Sequence, residues 1–161
     1  MEQSPHAHAL RKAEEFFDRS TRPLEEADSA FAPLPGMYTV AQQVAHVAQS
    51  VEWFMEGGFG LGFDLDFARA EAEIRASASL DQARGRLARA FAAARSTVAG
   101  KSEEQMRERL PHGLILPGEP LAAVIAALCE HTAHHRGALT VYCRLLGRIP
   151  PMPYGEFDPL A

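Results

Sequence analysis

Apolar residues spaced three and four apart, in stretches closed off by proline and glycine, constrain this chain more than any other feature. Val40, Val44, Val47, Val51 and Phe54 line one side of a helix. Thr39 stands before them, with Gln42 three residues on, so a capping box opens that helix and Gly57-Gly58 is expected to end it near residue 57. Ser79 and Gln82 repeat the signature and predict a helix over 79–99, with Gly100 as its stop. Leu10, Phe16, Phe17, Leu24 and Phe31 predict a first helix over 7–31, which Pro23 must kink or interrupt. Pro120 suits a first helical turn, and a long helix is predicted over 120–146, closed by Gly147. Shorter helical patterns fall at 65–76 and 102–109, while 32–36 and 111–118 are loops. Four main helices and no alternating strand pattern predict an all-α fold, a four-helix bundle formed by one domain over 1–161.

Composition narrows the class of partner. Sixteen basic and 21 acidic side chains leave a net charge of −5, with no dense Lys/Arg block to meet nucleic acid or an anionic membrane. The longest clean apolar run, Leu121 to Cys129, is far shorter than the roughly 18 residues of a spanning helix. Around Glu2, His6 and His8 there is neither a basic n-region nor an apolar h-region, so the expected setting is cytoplasmic. Cys129 and Cys143 on one helix stand about 21 Å apart, beyond the roughly 7 Å a disulfide spans, and read as buried reduced thiols.

The chemistry gathers around the histidines. Three of the seven crowd into His131-Thr132-Ala133-His134-His135. Leu121, Ile125, Leu128, Thr132, Leu139, Tyr142 and Leu146 define one inward stripe of their helix. At about 100° per residue, His135 falls about 20° from its centre, His131 about 60° and His134 about 120°. Two imidazoles one turn apart on an inward face can hold one metal ion; the plainer alternative is a pair of buried, hydrogen-bonded histidines. Spacing leaves the third ligand open among His46, His112, His6, His8 and many carboxylates. His46 lies about 130° from the valine stripe of its helix, on the flank with Gln42, Gln49 and Trp53.

Three segments together resemble the DinB-like family of metal-binding four-helix bundles. They are Tyr38-Thr39-Val40-Ala41-Gln42-Gln43-Val44-Ala45-His46-Val47-Ala48, the run His131-Thr132-Ala133-His134-His135-Arg136-Gly137-Ala138-Leu139, and the closing stretch Cys143 to Gly155. The resemblance covers roughly residues 7–155. It implies one divalent metal ion held by His46, His131 and His135, and it implies a homodimer. The family commonly has Gln where this chain has Ala138.

Three neutral imidazoles leave a coordination position for water or substrate, and zinc, nickel and ferrous iron all accept nitrogen ligands. The leading expectation is a metal-dependent hydrolase or thiol-dependent transferase acting on a small molecule. The alternatives are a non-catalytic metal- or small-molecule-binding bundle and a structural dimer with a vestigial site. Gln42 and Gln49 are candidates for orienting His46, and Arg136 and Arg144 for holding a substrate anion. Trp53 and Tyr154 are candidate pocket walls, and Glu130 is a weak candidate base. Gly57–Gly62 is not a phosphate loop, for no strand precedes it. His6 and His8 are expected in a frayed terminus.

Overall fold

Thr39 caps its helix as its sequence requires: its hydroxyl accepts from the Gln42 N–H, and the Gln42 side chain accepts from the Thr39 N–H. The same reciprocal pair links Ser102 and Gln105, and the Ser79 hydroxyl accepts from the Gln82 N–H. In the computed structural model, which describes residues 4–155, the elements are α1 (Pro5–Thr21), a 3-10 turn (Glu26–Asp28), α2 (Val40–Phe59), α3 (Phe67–Arg75), α4 (Leu80–Ala99), α5 (Glu103–Arg107) and α6 (Ala122–Leu145). Glu2 and the outer ends of the 1–161 span lie outside the described residues. Among those residues there is no strand beyond an isolated antiparallel bridge between Arg109 and Pro120. No described helix is long and apolar enough to cross a membrane.

The four long helices form a ring. α1 packs on α4 and α6, and α2 packs on the same two helices from the other side. Between them lie Leu10 and Phe17, the valines of α2, Leu87 and Phe91, and Leu128, Leu139 and Tyr142, all buried. Burying each large side chain contributes about 1.5–3 kcal/mol, so this interior stabilises the ring far more than any surface ion pair. The predicted stripe of α6 faces this core from Leu121 to Tyr142, with Leu146 half-buried at its end.

Three boundaries differ from expectation. α1 stops at Thr21 and does not reach 31, because Pro23 has no N–H to continue the ladder. The segment after it turns through Glu26–Asp28, and Phe31 packs edge-to-face on Tyr142 with ring centroids 6.0 Å apart. α2 runs straight through Gly57 and Gly58 and is closed by Gly60. Those two glycines serve close approach: a Cβ on Gly57 would overlap the Phe63 ring, and one on Gly58 would sit 2.7 Å from Val124 Cγ2. Pro120 precedes α6 instead of opening it, since it pairs with Arg109 and its carbonyl accepts from the Ala123 N–H.

At the far end, Gly147 has φ 74° and closes α6 in a left-handed turn, with Arg148 N–H donating to the Cys143 carbonyl at 2.9 Å. Arg148 then pairs with buried Asp28 and donates to the Pro23 carbonyl at 2.8 Å, tying the closing segment to the turn after α1. Both cysteines are free thiols, and burial raises the Cys129 thiol to about 11 and the Cys143 thiol above its ordinary range. Of the apolar α6 positions Val124, Val141 and Leu145, which add to the homodimer expectation, Val124 is buried in the core and only Val141 and Leu145 lie exposed.

Candidate metal centre

The ring sets one flank of α2 against the histidine-bearing face of α6. His46 enters from α2, and His131 and His135 enter one turn apart from α6. One ring nitrogen from each lies within 4.8 Å of the other two. His46 Nε2 and His131 Nε2 are 3.2 Å apart. Two nitrogens on a tetrahedral zinc at about 2.0–2.1 Å are about 3.3–3.4 Å from each other, so this spacing suits a shared cation. The ring centroids of His46 stand 5.1 Å from His131 and 4.5 Å from His135.

His135 is oriented by its second nitrogen. Its Nδ1 lies 2.8 Å from Gln43 Oε1, and an amide oxygen accepts only from a protonated nitrogen. The proton therefore sits on Nδ1, and the Nε2 lone pair is left for a ligand-binding role. Gln43 is itself buried, with its Nε2 3.5 Å from the Tyr142 hydroxyl. That hydroxyl donates to the Tyr38 carbonyl at 2.9 Å. His46 differs: its Nδ1 is buried with no partner among the described residues, so its tautomer is left free to suit what binds.

All three imidazoles are held neutral. Burial depresses His131 to about 4 and His135 to about 3, and the neighbouring imidazoles push both the same way. Burial also lowers His46, while the Glu71 carboxylate opposes the shift. A neutral imidazole is the form that ligates a metal. The donor set, its spacing and its protonation fit a divalent cation.

The other expected residues fall elsewhere. His134 is exposed on α6, outside the trio, with its ring edge-on to His135. His6 and His8 lie within α1 and are not frayed, because Pro5 starts that helix and His8 Nδ1 meets Arg11 at 2.8 Å. His112 lines a separate apolar pocket with Leu110 and Phe63. Gln42 is taken up by the α2 cap and by the Arg75 carbonyl, and does not reach His46. Arg136 lies 5.8 Å from the rings of both Phe16 and Tyr154, which makes Tyr154 a packing partner of α1. Glu130 and Arg144 are exposed.

Gln49 and Trp53 do line a cavity of about 350 Å³, together with His46 and His131. The residue missed from sequence was Gln43. It lies about 60° from the centre of the valine stripe, and a polar amide on that inward side was the available signal.

The sequence signature of the DinB superfamily matches residues 9–139. A crystal structure of a DinB-like protein from Bacillus cereus ATCC 10987 superposes with a TM-score of 0.74 at 17% identity, covering 94% of this chain and 98% of the other. At that identity the likeness is one of fold. No curated protein matches the chain.

Proposed function

Because this chain belongs to the DinB superfamily, and because its three imidazoles converge beside a cavity, we propose that it is a divalent-metal-dependent enzyme acting on a small molecule. The observation that carries this is the trio itself: His46, His131 and His135 offer nitrogens within 4.8 Å of one another, and two of these residues face open space. The reaction class is hydrolysis or thiol-dependent transfer. Bound there, a divalent ion supplies the power to acidify water or a thiol and to stabilise negative charge on a reacting oxygen. The ligand chemistry suits Zn2+ or Ni2+ first and Fe2+ next.

The chain's own residues do the rest. Gln43 holds the His135 ring in one tautomer, burial keeps the imidazoles unprotonated at neutral pH, and the cavity receives the substrate. We read the ring of long helices as a single-domain four-helix bundle, acting in the cytoplasm as a homodimer through the exposed α6 face that carries Val141 and Leu145. No membrane or nucleic-acid partner enters this reading.

The test begins with elemental analysis of protein purified without a histidine tag or nickel column, followed by Zn2+ titration and a thiol-transfer assay. His135→Ala is expected to abolish metal binding, and His134→Ala to retain most of it. Equal loss in both variants, or no metal uptake by the parent, overturns the assignment.

A further inference from the structure

We infer that the substrate is a small aromatic molecule, with a metal-seeking head such as a thiol or a pair of oxygens joined by a short linker to an uncharged ring that lies on Trp53, Phe54 and Phe67. This names the substrate class of the metal-enzyme reading above and rests on it. His46, His131 and the three rings line one cavity of about 350 Å³, a size that suits such a molecule. The aromatic wall starts at a metal ligand. Ring centroids stand 6.1 Å apart from His131 to Phe54, 5.1 Å from Phe54 to Trp53 and 6.2 Å from Trp53 to Phe67. Trp53 is held in place for a partner: its indole N–H donates to the Asp64 carbonyl at 2.6 Å, and Phe63, which is not part of the lining, packs on it at 4.8 Å. A ring fixed in this way loses little freedom on binding, and aromatic pairs attract beyond the area they bury.

Helix periodicity sets the reach. His46, Gln49, Ser50 and Trp53 share one face of α2, and Trp53 follows His46 by seven positions, about 10 Å along the axis. Gln49 and Ser50 line the cavity between them, so the linker crosses a polar stretch. Charge places the head and leaves the ring alone. The Arg69 guanidinium is engaged by Asp64 and, at 3.6 Å, by Asp66. Glu71 accepts from the Tyr38 hydroxyl and meets Arg75 at 2.8 Å, and Glu73 meets Arg86 at 2.5 Å. Every acidic or guanidinium group of the described lining therefore has a partner already. A divalent cation on the trio is the charge left without one, so it draws the head of the substrate, while the ring meets the aromatic wall.

Three probes with the same metal-seeking head, acetohydroxamate, 3-phenylpropanohydroxamate and 3-cyclohexylpropanohydroxamate, are titrated by calorimetry into the full chain loaded with Zn2+. The phenyl probe is expected to bind at least about tenfold tighter than acetohydroxamate and about threefold tighter than the cyclohexyl probe. Trp53→Leu is expected to cut the ratio of phenyl to acetohydroxamate affinity about fivefold or more, and Phe67→Ala about threefold. Phe67 is exposed, so its variant keeps the test decisive if Trp53→Leu does not fold. Acetohydroxamate binding as tightly as the phenyl probe, a cyclohexyl probe as tight as the phenyl one, no binding of any probe, or an unchanged ratio in both variants overturns the inference. Zn2+ titration of the same preparation separates the two readings. Metal uptake with any of those outcomes sinks the aromatic subsite alone, whereas the absence of metal uptake sinks the metal centre and this inference with it.

Discussion

Replacing Gln43 with methionine keeps the bulk of the side chain and removes the acceptor that His135 Nδ1 meets at 2.8 Å. The Nδ1 proton is then left without a partner in a half-buried site, a penalty of about 1–3 kcal/mol. The ring gains the freedom to turn or to move its proton to Nε2, the nitrogen the metal needs. Loss of such an orienting partner costs roughly 10–100-fold in metal affinity, about 1.4–2.7 kcal/mol. The assay is Zn2+ competition against a chromophoric chelator at pH 7.5, with Gln43→Glu and His134→Ala alongside. Glutamate at this position still accepts from Nδ1, so Gln43→Glu is expected to hold the parent affinity or exceed it. His134→Ala is expected to stay within a few-fold of the parent, because that ring lies outside the trio. An unchanged affinity in Gln43→Met, or an equal loss in Gln43→Met and Gln43→Glu, would refute the argument that this hydrogen bond sets the ligand's geometry.

Two further outcomes follow from burial. In the metal-free protein, His131 and His135 resist protonation down to about 4 and about 3, whereas unfolded histidine takes its proton near 6.5. Their contribution to stability is therefore complete above pH 6.5 and drains away as pH falls towards 4. The loss is about 1–2 kcal/mol per imidazole by pH 5, after allowing for their partial exposure; urea denaturation at pH 7.5 and pH 5 measures it, and a flat profile contradicts it. Gly58→Ala places a Cβ 2.7 Å from Val124 Cγ2. It is expected to destabilise by about 1–3 kcal/mol, although alanine is the better helix former by about 1 kcal/mol. A higher melting temperature for that variant would show that the α2–α6 approach is looser than described.

What the sequence made legible was what local chemistry decides. Thr39 and Ser79 announce their helices because a hydroxyl three residues from its backbone partner needs nothing else. The inward turn of His135 and the outward turn of His134 follow from helix geometry alone. His46 lay off its valine stripe, and only the family resemblance singled it out; its proximity to His131 depends on how α2 packs against α6, which no local pattern encodes. Gln43 went unseen for the same reason, since its partner lies 92 positions along the chain. Gly57 and Gly58 misled because glycine signals both a helix stop and a close contact, and the contacts here come from Phe63 and Val124. Pro23 was read as an interruption of the first helix, and it proved to be its end.

His46 and His131 stand 85 positions apart in the chain, yet their nitrogens nearly touch. A ligand gripped by both would act as a rivet between α2 and α6, closing a loop about as long as half the molecule. A covalent link around a loop of that length removes roughly 4–5 kcal/mol of disorder from the unfolded chain. A coordinate bond that forms only in the folded state works in the same direction. The melting temperature of this protein would then follow the free concentration of its metal, and starving a cell of that ion would shorten the protein's lifetime as well as silence its chemistry.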